Sequence, residues 1–198
     1  MNALAPFVLG FFIGSIPFGV ILTRVAGAGD LRKIGSGNIG ATNVLRTGRK
    51  DLAVATLLLD GGKGAFAVFL GAELSGSETG GVVAGFAAVL GHMFTPWLGF
   101  AGGKGVATGL GTLIGAAWPV GVATCAVWIG TALLTRISSL SALIAFAAAP
   151  AFAAWFDGKP GIVLALAICA FVWLRHWANI RRLIDGSEPK IERTKADA

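Results

Sequence analysis

Four clusters of polar residues interrupt an otherwise apolar chain, and each has the make-up of a site for anions. The first is Gly35–Lys50, GSGNIGATNVLRTGRK, where Ser36, Asn38, Thr42 and Asn43 are closed by Arg46, Arg49 and Lys50. A helix over Asn38–Arg49 would set Asn43, Arg46 and Lys50 on one face, at i, i+3 and i+7, beside a flexible Gly-Ser-Gly turn. Such a row of donors suits an anion; the alternative is a solvated loop drawn to acidic lipids. The second cluster is Asp60-Gly-Gly-Lys63-Gly64, in the middle of an apolar window. Counted from Asp51, an unbroken helix puts Asp60 about 13 Å in, a depth at which ionisable groups are paired or functional. The i, i+3 spacing allows either a structural pair or a phosphate-binding role for Lys63, and Gly61-Gly62 leaves a broken helix open.

The third cluster is Gly91–Gly109, GHMFTPWLGFAGGKGVATG. Gly102-Gly103-Lys104-Gly105 precedes an apolar helix, and a glycine turn in that place can aim backbone N–H groups at a phosphate while the lysine neutralises it. It is not a nucleotide-hydrolysing P-loop, because Leu98 stands at that motif's first glycine and Gly105 where Ser or Thr is needed. His92 reads equally as a helix-end histidine or a ligand. The fourth cluster runs RHWANIRRLIDGSEP from Arg175. It sets His176 and Asn179 at i, i+3, and Arg175, Asn179 and Arg182 at i, i+4 and i+7. Stop-transfer basics account for the arginines, not for His176 or Asn179.

The elements that must position these residues follow from composition. The 198 residues are 55% hydrophobic and 13% charged, with no tyrosine and a mean hydropathy of +0.77. Soluble domains carry about a quarter charged residues, so the solvent for this chain is a bilayer. Disorder, collagen-like repeats and disulfide scaffolds are excluded. Cys125 and Cys169 lie in apolar runs without metal-site spacing and read as small buried hydrophobes. No metal, cofactor or nucleic-acid partner is expected.

A span needs roughly 20 apolar residues. Windows of that kind recur at Ala3–Thr23, Leu52–Leu74, Gly80–Leu98, Val106–Trp118, Pro119–Thr135, Leu140–Phe156 and Gly161–Trp177. The prediction is an all-α polytopic membrane protein of about seven transmembrane helices in a single domain over 1–198, with a partly mobile basic tail from Asp185. The first window lacks a basic leader and reads as a retained helix. The fourth is short, either a tilted segment or a helix that begins at depth. Trp97, Trp118, Trp155, Trp173 and Trp177 fall near window ends, at headgroup level. Fourteen of the sixteen Lys and Arg residues, Arg193 and Lys195 among them, follow the first, third, fifth and seventh windows. The positive-inside rule then puts the N-terminus outside and the C-terminus in the cytoplasm.

All four clusters thus face one leaflet, as one site for polyanionic ligands beside helices able to hold a lipid chain. Acyl transfer fits, but the His-x4-Asp pair of acyl-CoA acyltransferases is missing, since Trp97 follows His92 at that spacing and Arg181 follows His176. Either the acyl donor is intrinsically activated, or the protein is a transporter of a phosphate ester or lipid.

SGNIGATNVLR (Ser36–Arg46), GGKGVAT (Gly102–Thr108) and RHWANIRRLIDGSE (Arg175–Glu188), with GSIPFG (Gly14–Gly19) and DGGKG (Asp60–Gly64), closely resemble the bacterial acyl-phosphate:glycerol-3-phosphate acyltransferase (PlsY) family. The resemblance implies an inner-membrane enzyme that moves a fatty acyl group from acyl phosphate to the sn-1 hydroxyl of glycerol 3-phosphate. The products would be lysophosphatidic acid and phosphate, at the first step of bacterial phospholipid synthesis. It assigns function to Ser36, Arg46, His176 and Asn179, glycerol-phosphate binding to Gly102, Gly103, Lys104 and Gly105, and a structural role to Glu188. Asn38, Asn43 and Lys63 are expected to bind substrate, and Asp60 to be structural.

Overall fold

The computed structural model describes residues 3–191; Arg193 and Lys195 of the basic tail lie outside them. Each apolar window holds helix, and no strand occurs among the described residues. The first window divides into α1 (Leu4–Ser15) and α2 (Phe18–Val25) at Ile16-Pro17. Proline has no N–H to continue the ladder, and Ile16 before it is extended, as such residues are. Carbonyls freed inside a membrane must find donors in the protein. Thr95 Oγ1 donates to the Ser15 carbonyl (2.6 Å) and Lys63 Nζ to that of Ile16 (2.7 Å).

A short α3 (Ala41–Val44) precedes α4 (Lys50–Ser75), which runs unbroken through Gly61-Gly62. Then come α5 (Glu78–Met93), α6 (Val106–Ala116), α7 (Trp118–Thr135), α8 (Ser138–Phe156), α9 (Lys159–Arg175) and α10 (Trp177–Ile184). Glycines let α4 and α6 approach closely: a methyl at Gly64 of α4 would overlap the Thr108 carbonyl, and one at Gly111 of α6 the Gly61 backbone. Likewise a methyl at Gly14 of α1 would overlap the Ala88 carbonyl of α5. Small residues let membrane helices touch in this way. Gly14→Leu is therefore expected to destabilise the protein by about 2–3 kcal/mol, read as a lowered thermal midpoint in detergent. Gly130→Ala, where an added methyl meets nothing within 4 Å, is the control; equal midpoints would refute the contact's importance.

By length and composition five helical runs can cross a membrane: Leu4–Val25, Lys50–Ser75, Glu78–Leu98, Trp118–Thr135 and Ser138–Phe156. α9 joins them only if counted with α10 across a 64° bend, and α6 is too short. Its eleven residues rise about 16 Å, against about 27 Å for the 18 of α7 that return beside it. Alone, α6 is thus about 10 Å shorter than α7 and too short to cross a bilayer.

The main core joins α5, α6, α8 and α9 through Val89, Met93, Leu113, Phe146, Ile168 and Val172. A second, of Val20, Leu31, Ile39, Val44 and Leu52, lies under the segment between α2 and α4. That segment is thus a packed part of the protein. Large side chains such as Leu58, Phe69, Leu134 and Val163 stay exposed on the helices' outer faces, as suits a lipid solvent.

Candidate active site

The first polar segment is shaped by Asn43. Its Nδ2 lies 3.0, 2.9 and 2.8 Å from the carbonyls of Leu31, Ile34 and Asn38, and its Oδ1 accepts from the Ser36 N–H (3.2 Å). Asn43 is buried, so its amide builds the turn and has no group left for a ligand. The helix expected over Asn38–Arg49 is only α3 followed by a 3₁₀ turn at Leu45–Thr47, ended by Gly48 at φ +81°. Lys50 accordingly opens α4 and does not share a face with Asn43 and Arg46. Gly35 has φ +52°, and the Arg46 side chain lies against it, which brings Arg46 beside Ser36.

The glycine turn is built differently from the anion cradle its composition suggests. The Gly102 and Gly103 N–H groups donate to the carbonyls of Met93 (3.1 Å) and His92 (3.0 Å) at the end of α5. They are therefore not directed at a phosphate. Arg175 Nε and Nη2 donate to the Gly103 (3.1 Å) and Gly102 (2.9 Å) carbonyls from the other side. Gly105, at φ +77°, turns the chain into α6. The turn is thus clamped between α5 and Arg175 to present one group, the Lys104 ammonium, which donates to Asn179 Oδ1 at 2.5 Å. Burial, with Arg182, Arg175 and Arg46 adding to it against the attraction of Glu188, lowers the Lys104 pKa to about 8.

His176 occupies the bend between α9 and α10. Its Nδ1 lies 2.7 Å from the Val172 carbonyl, an acceptor only, so Nδ1 carries the proton. Glu188 closes the arrangement. Its Oε1 accepts from Ser139 Oγ (2.7 Å) and Asn179 Nδ2 (2.5 Å), and its Oε2 from Arg182 Nε (2.6 Å). Burial raises the Glu188 pKa, but these donors outweigh it and hold the carboxyl below its ordinary value. The tail expected to be loose from Asp185 is thus tied down as far as Ile191, whose N–H donates to the Arg136 carbonyl (2.6 Å).

Ser36, Arg46, Lys104, Arg175, Asn179 and Arg182 line one cavity of about 360 Å³, with Gly35, Ala178 and Pro189. Four cations around one opening, and Glu188 already engaged, make it a site for anions. Asn38, Asn43, Asp60, Lys63 and His176 are not among its lining residues. Lys63 is buried 2.6 Å from Asp60 Oδ1, and its three N–H bonds are accounted for by Asp60, the Ile16 carbonyl and His92 Nδ1 (3.0 Å). Arg175 and Arg182 were legible in the helical spacing of the fourth cluster. Ser139, which braces Glu188, had no sequence signal. No group of three or more His, Cys, Asp or Glu side chains placed to hold a metal occurs among the described residues.

Fold and site together define a multispan membrane protein with a cationic cavity at the end of its bundle where the loops after the first, third, fifth and seventh windows meet. The chain belongs to the glycerol-3-phosphate acyltransferase family, whose sequence model matches residues 4–186. A glycerol-3-phosphate acyltransferase of Paramagnetospirillum magneticum is 63% identical over 92% of this chain and 90% of that protein. Among solved structures, PlsY, an integral membrane glycerol 3-phosphate acyltransferase, superposes in its glycerol 3-phosphate form with a TM-score of 0.89. It is 35% identical, over 97% of this chain and 96% of that one. Its lysophosphatidic acid form gives a TM-score of 0.87 at 34% identity, over 96% and 95% of the two chains.

Proposed function

We propose that this enzyme transfers a fatty acyl group from acyl phosphate to the sn-1 hydroxyl of glycerol 3-phosphate, giving lysophosphatidic acid and inorganic phosphate. The observation that carries the reading is the convergence of Arg46, Lys104, Arg175 and Arg182 with Ser36 and Asn179 on one cavity. Similar proteins bear the acyltransferase name, and the PlsY structures hold glycerol 3-phosphate in one form and lysophosphatidic acid in the other. The transporter alternative calls for polar groups at mid-membrane along a path open to both faces; the Asp60, Lys63 and His92 side chains are buried and bonded to one another.

An acyl carbonyl that arrives activated, as the mixed anhydride of acyl phosphate is, suits a cavity whose lining residues are cations, Ser36 and Asn179. In the proposed step the sn-1 oxygen attacks that carbonyl, the carbon–oxygen bond to phosphate breaks, and inorganic phosphate leaves. Lys104 and Arg46 hold the phosphates, while Ser36 and Asn179 orient the hydroxyl and the carbonyl. His176 is not among the cavity's lining residues and its Nδ1–H is held by the Val172 carbonyl, whereas the substrate carries its own base, a phosphate monoester whose second pKa is about 6. The hydroxyl proton therefore passes to the substrate's own phosphate, and His176 acts as a fixed hydrogen-bonding group at the bend. The positive-inside distribution supports a cytoplasmic active site in the bacterial inner membrane, with the N-terminus outside.

Purified protein in lipid or detergent should convert labelled glycerol 3-phosphate and acyl phosphate to lysophosphatidic acid; turnover with acyl-CoA alone would overturn the donor. In the same assay His176→Gln should lower kcat yet keep the acid limb of the pH–rate profile in place. Loss or displacement of that limb would make His176 the base.

A further inference from the structure

We propose that His92 is a positioning residue: its imidazole, held by Lys63 and Asp60, is the wall against which Gly103 rests, and it thereby sets the place of Lys104 in the cavity. The proposal rests on the cavity being the glycerol 3-phosphate site.

Asp60 and Lys63 of α4 and His92 of α5 line no part of the cavity, yet all three are buried, at 2%, 4% and 4% exposure. Charged groups in such a place need a reason, because a buried ion pair contributes little net stability and is kept for the geometry it imposes. The geometry here is directional. Lys63 Nζ is anchored on Asp60 Oδ1 (2.6 Å) and on the Ile16 carbonyl (2.7 Å) at the break between α1 and α2, and it meets His92 Nδ1 at 3.0 Å. Both ends of the imidazole are thereby engaged, since the opposite edge abuts the active-site turn. A Cβ on Gly103 would overlap His92 Nε2 and lie 2.9 Å from both Cδ2 and Cε1.

The backbone of the same residue completes the grip, with the Gly103 N–H donating to the His92 carbonyl at 3.0 Å. From the opposite side Arg175 holds the Gly102 and Gly103 carbonyls. Lys104 is the next residue, and its ammonium reaches Asn179. A displacement of Gly103 away from the imidazole would carry Lys104 with it, and misplacing a binding group by about 1 Å lowers rates by about a hundredfold. Glycine at 103 is thus demanded by the ring behind it, at a residue whose N–H is already engaged with α5.

The test is a steric rescue. Asparagine at 92 keeps an amide oxygen where Nδ1 meets Lys63 but lacks the far edge of the ring. Gly103→Ala alone should lower kcat/KM for glycerol 3-phosphate by about a hundredfold. His92→Asn alone should raise the KM for glycerol 3-phosphate about tenfold with a smaller change in kcat. The double variant should recover at least about tenfold over Gly103→Ala, because the new methyl fills the vacated space. A double variant no better than Gly103→Ala, or a wild-type KM in His92→Asn, overturns the proposal. Thermal midpoints and calorimetric binding of glycerol 3-phosphate are measured on every variant. His92→Ala paired with Gly103→Ala provides the same comparison if the asparagine variant does not fold. Wild-type protein that binds glycerol 3-phosphate without acyl transfer would refute the functional reading instead, and the rescue would still be read in the affinities.

Discussion

Lys104→Met is expected to lower kcat/KM for glycerol 3-phosphate by about a hundred- to a thousandfold without lowering the thermal midpoint. Methionine keeps the apolar stem and removes the charge. Among the described residues the ammonium has one acceptor, Asn179 Oδ1, and it stands in a cavity it shares with Arg46, Arg175 and Arg182. Its remaining N–H groups are therefore the natural partners of a phosphate. Loss of a charge-assisted bond of this kind costs about 3–4 kcal/mol, which is two to three powers of ten in rate or affinity. Stability moves the other way, because burial and three neighbouring cations hold the pKa at about 8, below its ordinary 10.5. The unfolded chain thus holds more protons than the folded one between about pH 8 and 10.5, and stability should rise with pH across that window. Affinity has the opposite slope: the KM for glycerol 3-phosphate should be flat from about pH 7, where the phosphate is fully ionised, to about pH 8, and climb above it as the free enzyme loses the ammonium. A KM in Lys104→Met equal to that of the wild type would remove Lys104 from the phosphate site.

Glu188→Ala should damage stability and activity together, by about 3 kcal/mol and at least about a hundredfold in kcat/KM. The carboxylate is 6% exposed in its side chain and accepts from three donors on two elements: Ser139 of α8, and Asn179 and Arg182 of α10. Without it the Asn179 amide loses the partner that keeps Oδ1 turned toward Lys104. Arg182 also gains an uncompensated charge beside two other arginines. Glu188→Gln should not rescue, since one end of its amide would point an N–H at a donor. Ser139→Ala, which removes one neutral bond, should cost about 1 kcal/mol and a few-fold in activity. Urea or thermal unfolding beside initial rates separates the cases; a Glu188→Ala protein with wild-type kcat/KM would mean that the carboxylate does not shape the site.

These two residues also mark how far the sequence could be read. Lys104 and Glu188 were both legible, one as the cation in a glycine turn and the other through a family resemblance; Ser139, the partner of Glu188 outside the fourth cluster, was not. Asn38, Asn43 and Lys63 had the right chemistry for an anion and sit away from the cavity. Asn43 is turned inward to hold three carbonyls, and Lys63 is satisfied by Asp60, Ile16 and His92. Residue type and spacing cannot separate a donor that faces a ligand from one that faces its own backbone, because both satisfy the same chemistry.

The amino-acid sequence by itself determined the apolar windows, the alternation of positive charge between them, and the residues from which a phosphate site would be drawn. Hydropathy and charge placement act along the chain, so they can be read along it. The tertiary structure alone decided that the Gly102 and Gly103 N–H groups pair with α5, that the Asn43 amide turns inward onto three carbonyls, and that Ser139 braces Glu188 from 49 residues away. Those outcomes depend on which helix faces touch once glycines let the backbones close, and contacts between segments distant in sequence leave no periodic trace in any one of them.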